Sequence, residues 1–211
     1  MNLKPKTKIK ICGLYRSADI YYVNEAMPDF AGFIFYPKSH RYVSFEQAAE
    51  LISRLDGRIK PVGVFVDNTP QEISEAVKTA KLDIVQLHGD EDNYIIDEVK
   101  RLCPGISEVW KAVRIKNRFD LSMLSNIDHA DRYLADAYVE GYGGQGKTFD
   151  ACLVKEIKSE KLIIAGGLNK SNIKSTIELT SPYAIDLSSG VETNKIKDRN
   201  KIIAAVNAVR N

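Results

Sequence analysis

The chain has 211 residues, enough for one α/β domain with a sizeable core. Its 44% hydrophobic and 27% charged residues are the balance of a soluble globular protein, not of a disordered or fibrous chain. Thirty basic against 28 acidic residues leave a formal charge of +2, which gives no support to the concentrated basic surface of a nucleic-acid binder.

Cys12, Cys103 and Cys152 are far apart and form neither a disulfide framework nor a C-x-x-C pair. They read as reduced thiols of a cytoplasmic protein. The basic start KPKTKIK lacks the following apolar run of a signal peptide, and no segment is apolar over the length a bilayer requires. No linker-like composition interrupts the chain, so one domain over residues 1–211 is expected, with no membrane partner.

Taken in order, short runs rich in Val and Ile mark eight strands. The first three are IKICGL (9–14), AGFIFY (31–36) and PVGVFV (61–66). DIVQLHG (83–89), EVWKAV (108–113) and RYLADA (132–137) follow, then LIIAGGL (162–168) and AIDLSSG (184–190). Their starts are about 22 to 30 residues apart, the length of a strand–loop–helix–loop unit. Between them, Ser44 and Gln47 form a capping box before FEQAAELI, and Thr69 and Glu72 form another, with Pro70 at the first helical position. SNIKSTIEL (171–179) and IKDRNKIIAAVNAV (196–209) repeat apolar residues at helical steps. Periodicity leaves an open doubly wound sheet as an alternative. Eight units without a long insertion favour an α/β single-domain (β/α)8 TIM barrel.

On a barrel the active face lies at the C-terminal ends of the strands. The polar residues found there are Cys12, Gln86, His88, Asp136, Asp186, Ser188 and Ser189. One stretch suggests other chemistry. Residues 141–148 of GYGGQGKTFD match the nucleotide-loop pattern G-x-x-x-x-G-K-[ST], with a strand before and FDACLVKEI (149–157) readable as a helix after. That reading leaves five preceding β–α units, Cys12 and Arg41 without roles.

KICGL (10–14), GFIFYPKSHRYV (32–43), VGVFVDN (62–68) and VQLHGDE (85–91) occur in one order with GGQGKTFD (143–150), IIAGGLNKSNI (163–173) and IDLSSGVE (185–192). Together they resemble the phosphoribosylanthranilate isomerase family over nearly the whole chain. The resemblance implies a (β/α)8 barrel in tryptophan biosynthesis that performs an Amadori rearrangement on a small phosphorylated substrate. It implies no cofactor and no metal, and a monomer or homodimer. By resemblance, Cys12 is the general base, Asp136 the general acid, and Arg41 the clamp for the anthranilate carboxylate.

Those roles make physical demands. A thiol base needs a helix N-terminus or a nearby cation, and Lys10, which shares the strand parity of Cys12, could supply the cation. A carboxylic acid that donates a proton near neutral pH needs partial burial. A guanidinium grips a carboxylate with two parallel N–H groups. Gly166 and Gly167 after the seventh strand, with Ser188 and Ser189 after the eighth, are candidates for the phosphate, which barrels of this type often hold between those loops. Asp186 is a candidate either to position ribose hydroxyls or to pair with Lys10. His88 is a candidate for a structural hydrogen bond or a substrate contact, and Lys147 either for approach to an anionic substrate or only for tying the closed loop down. His40, Ala135 and Ala151 depart from the family's usual residues, as neighbours of the site.

Overall fold

A computed structural model describes residues 6–115, 127–137 and 157–211. Eight parallel strands close into a barrel in sequence order: β1 (Lys8–Cys12), β2 (Phe30–Ile34), β3 (Lys60–Phe65), β4 (Ile84–Leu87), β5 (Glu108–Ile115), β6 (Arg132–Ala137), β7 (Leu162–Ala165) and β8 (Ala184–Leu187). Pairing of β1 with β8 completes the ring, Lys10 facing Asp186 in register. This is the expected barrel, and the open sheet is excluded.

Among the described residues the helices are α1 (Ser17–Ala26), α2 (Phe45–Ile52), α3 (Pro70–Ala80), α4 (Asn93–Leu102), α5 (Ile173–Thr180) and α6 (Arg199–Arg210). Both expected capping boxes form: Ser44 Oγ accepts from Gln47 N–H, and Thr69 Oγ1 accepts from Glu72 N–H. The sequence reading named neither α1 nor α4. Helix α1 is capped by Arg16, whose guanidinium binds Asp19, so the usual Ser/Thr/Asp/Asn start signal is absent. Helix α4 does carry that signal, with Asp92 accepting from Ile95 N–H. Helix α6 is shorter than the run 196–209. Ile196 and Lys197 instead form a strand, and Asp198 caps the helix.

Several strands also end before their apolar runs do. Strand β1 stops at Cys12, β7 at Ala165 and β8 at Leu187. Gly166 and Gly167 adopt positive φ of 87° and 63°, outside the extended region, and so end the ladder at the barrel mouth.

Strand alternation divides the apolar residues into two sets. Phe30, Val62, Ile84, Trp110, Leu134 and Ile163 fill the lower barrel. Ile9, Ile11, Phe33, Phe65, Val85, Ile164 and Ile185 face outward against Ile20, Val23, Ile73, Ile96, Ile173 and Ile202 of the helices. Each such side chain contributes about 1.5–3 kcal/mol on burial. The rigid wall made this way carries the polar residues of the mouth.

Candidate active site

A cavity of about 240 Å³ opens among the C-terminal strand ends. Cys12, Asp136, Asp186, Gly166, Gly167, Ser188 and Ser189 all line it, together with Gln86 and His88. Residues from β1, β4, β6, β7 and β8 thus converge, although up to 177 positions separate them in the chain. A larger cavity of about 530 Å³ adjoins it at His88. Asp67, Asp90, Glu91 and Asp92 line that second space, and its Lys111 is bound to Glu91 at 2.9 Å. Arg114 lines it as well, so its described wall carries both signs of charge. Arg41 lines neither cavity.

Lys10 is fully buried inside the barrel. Its Nζ donates to Asp186 Oδ2 at 3.0 Å and to Gln86 Oε1 at 2.8 Å. Burial alone would lower its pKa, but Asp186 and the Cys12 sulfur outweigh burial and raise it. Removing one partner of such a buried pair strands the other charge, at a cost of about 3–5 kcal/mol. Burial pushes the Cys12 thiol up. Lys10 and Lys197 pull it down and Asp186 opposes them, with a raised value as the net result. The expected cation is present, but Asp186 shares its charge. The other oxygen, Asp186 Oδ1, is buried with no hydrogen-bond partner among the described residues.

Asp136 keeps one third of its side chain exposed, and its Oδ2 lies 3.6 Å from His88 Nε2. His88 Nδ1 is 3.0 Å from Gln86 Nε2. Ser188 Oγ donates to the Cys12 carbonyl at 3.2 Å, so its hydroxyl hydrogen is engaged inside the fold. The loops after β7 and β8 are in direct contact. A Cβ on Gly190 would fall 1.8 Å from the Leu168 carbonyl oxygen, so only glycine fits there.

Arg41 is held by a device that the residue pattern did not flag. Its Nε and Nη2 donate to the two oxygens of Glu192, each at 2.7 Å. Glu192 sits on a two-stranded hairpin, β9 (Glu192–Thr193) and β10 (Ile196–Lys197). Asn194 and Lys195 both take positive φ, 52° and 64°, as a tight two-residue hairpin turn requires. That turn sets Lys197 directly opposite Glu192. Lys197 Nζ donates to Glu192 Oε1 at 2.7 Å and to the Ser188 carbonyl at 3.0 Å. Burial would raise Glu192, but hydrogen bonds from Arg41 and Lys197 bring it down to about 2. The Lys197 ammonium is lowered by burial, against the pull of Glu192. Glu192 belongs to the SSGVE stretch, which was its only signal. Lys197 had none, because its partner is fixed by the turn. His40 is exposed and Ala135 is buried in the core. Lys147, Ala151, Cys152 and the stretch 141–150 lie outside the described residues.

Comparison with known proteins gives one family. The family described as "N-(5'phosphoribosyl)anthranilate (PRA) isomerase" matches residues 9–208. An N-(5'-phosphoribosyl)anthranilate isomerase of Acetivibrio thermocellus is 46% identical, over 97% of this chain and 96% of its own. The crystal structure of phosphoribosyl anthranilate isomerase from Thermotoga maritima superposes with a TM-score of 0.85 at 35% identity, covering 97% of this chain and 98% of that one. Another isomerase structure, in complex with reduced 1-(o-carboxyphenylamino)-1-deoxyribulose 5-phosphate, has a TM-score of 0.82 at 33% identity, with coverage of 97% and 98%. The chain therefore belongs to the phosphoribosylanthranilate isomerase family, the isomerases of tryptophan biosynthesis.

Proposed function

We propose that the chain converts N-(5-phosphoribosyl)anthranilate to 1-(2-carboxyphenylamino)-1-deoxyribulose 5-phosphate without a metal or organic cofactor, with Asp136 as general acid and Cys12 as general base. The observation that carries this reading is the convergence of Cys12, Asp136 and the two glycine- and serine-bearing loops on one cavity. The Asp136 carboxyl gives its proton to the ribose ring oxygen. The C1–O bond breaks as the nitrogen lone pair forms a C1=N Schiff base. Cys12 Sγ then takes the proton from C2, that electron pair forms C1=C2, and the C1=N pair returns to nitrogen to give the enolamine. The enol hydroxyl loses its proton as C1 gains one, which leaves the ketone.

The phosphate fits the contacting loops at Gly166–Gly167 and Ser188–Ser189. Because the Ser188 hydroxyl already donates to Cys12, backbone N–H groups and Ser189 are the donors offered to it. Asp186 Oδ1, without a hydrogen-bond partner among the described residues, suits a ribose hydroxyl, while Oδ2 holds Lys10. Glu192 occupies the Nε–Nη2 edge of Arg41, so the anthranilate carboxylate would take the Nη1–Nη2 end.

Arg41→Ala is expected to raise KM on the order of ten- to a hundred-fold with kcat nearly intact, because it removes a charge-assisted pair made before the chemistry. Glu192 keeps its Lys197 partner in that variant. An unchanged KM would remove the clamp from Arg41.

Among the described residues no helix is long and apolar enough to cross a membrane. A cytoplasmic, single-domain enzyme, monomeric or homodimeric and without nucleic-acid or membrane partners, is the reading proposed. The Thermotoga maritima isomerase is described as dimeric, with monomers generated from it. The deciding experiment follows the fluorescence of phosphoribosylanthranilate with purified wild-type protein, adding neither metal nor nucleotide. Decay faster than buffer is expected, and decay at the buffer rate defeats the isomerase reading.

A further inference from the structure

We propose that Lys10, Gln86 and His88 form a one-directional hydrogen-bond chain that puts the single ring proton of His88 on Nε2 and aims that N–H at Asp136. The direction starts at Lys10. An ammonium has three donors and no acceptor, so whatever faces it must accept. Gln86 lies 2.8 Å away, and its amide must turn its oxygen to Lys10. The reversed amide would set NH2 against NH3⁺. Lys10 is 0% and Gln86 1% exposed, so solvent does not relieve that conflict.

With its oxygen committed, Gln86 presents Nε2 to the other side, 3.0 Å from His88 Nδ1. An amide nitrogen only donates, so Nδ1 must accept and carries no hydrogen. The ring hydrogen is then on Nε2, which lies 3.6 Å from Asp136 Oδ2. That gap exceeds a hydrogen bond by a few tenths of an ångström, within the tightening seen when an active site fills. His129 shows the contrast. Its Nδ1 lies 2.9 Å from a carboxylate oxygen of Asp97, which only accepts, so Nδ1 carries a hydrogen there, the opposite of the arrangement at His88.

The consequence rests on the reading of Asp136 as general acid. Once Asp136 has given up its proton, its carboxylate meets an N–H donor. The opposite tautomer would turn a nitrogen lone pair on it. His88 acts through Asp136 and is a positioning residue. Lys10, though buried under the cavity, sets the polarity of the whole chain.

Long-range proton–nitrogen NMR of the histidine rings tests this in the free enzyme. His88→Asn identifies the signal among the three histidines. In wild type, Nδ1 should appear bare and Nε2 protonated. Gln86→Glu keeps shape and the Lys10 contact but offers Nδ1 an acceptor, and hydrogen should appear on Nδ1. Turnover in that variant should fall on the order of ten-fold or more, with KM changed less. A hydrogen on Nδ1 in wild type overturns the chain, and this arm stands alone if the variant does not fold. A ring unchanged in Gln86→Glu also overturns it. A shifted ring with wild-type turnover overturns the consequence for Asp136. A wild type that is inactive but carries its hydrogen on Nε2 would defeat the isomerase reading and leave the chain intact.

Discussion

Cys12→Ser should lower kcat by about 10²–10⁴-fold, the usual worth of a positioned acid–base group, while KM stays within a few-fold. The substitution is nearly isosteric, so the strand end and the Ser188 bond to the Cys12 carbonyl persist. What changes is proton affinity at one atom. A serine hydroxyl ionises far less readily than a thiol, and the buried site penalises its anion just as it does the thiolate. The pH profile offers an independent check. Burial holds the thiol above its ordinary value despite Lys10 and Lys197. A base works only when ionised, so kcat/KM of the wild type should climb as pH rises through and beyond neutrality and fall away on acidification. Wild-type turnover in Cys12→Ser would end the assignment of Cys12 as base.

Asp136→Asn should cost turnover in the same range, about 10²–10⁴-fold, for the complementary reason. The amide keeps the size of the carboxyl group and its place near His88, but it has no acidic proton for the ring oxygen. Ring opening would then depend on water, and the site is only partly open to it. Steady-state kinetics with phosphoribosylanthranilate, paired with direct binding of a product analogue, separate the two possibilities. Lost turnover with retained binding supports the acid. Retained turnover assigns that proton to another group. If each variant falls as far as the double variant, the two residues act as a unit, as coupled acid–base groups do.

Much of the candidate site was legible because barrel geometry brings strand ends to one face, where its residues line one cavity. Cys12, Asp136 and Asp186 stand at such ends, and parity alone paired Lys10 with Cys12. The sequence allows Asp186 two roles. The structure shows one oxygen on Lys10 and the other without a partner among the described residues. Arg41 was expected as the clamp for the anthranilate carboxylate, and one edge of its guanidinium is occupied by Glu192. No local pattern announces that contact, since Arg41 and Glu192 are 151 positions apart. Helix α4 carries a readable start signal in Asp92, whereas α1 lacks one altogether.

By itself the sequence determined the eight strands, the two capping boxes and the family. These depend on alternation, turn chemistry and motifs that act over a few residues, where chain connectivity does the positioning. Only the tertiary structure decided that the ring closes, through β1 against β8, and that Glu192 and Lys197 brace Arg41. It alone put a buried ammonium between Asp186 and Gln86, so that donor and acceptor directions run across the barrel toward Asp136. Such contacts are set by strand register and burial, which bring distant residues within hydrogen-bond reach and remove the water that would otherwise satisfy them.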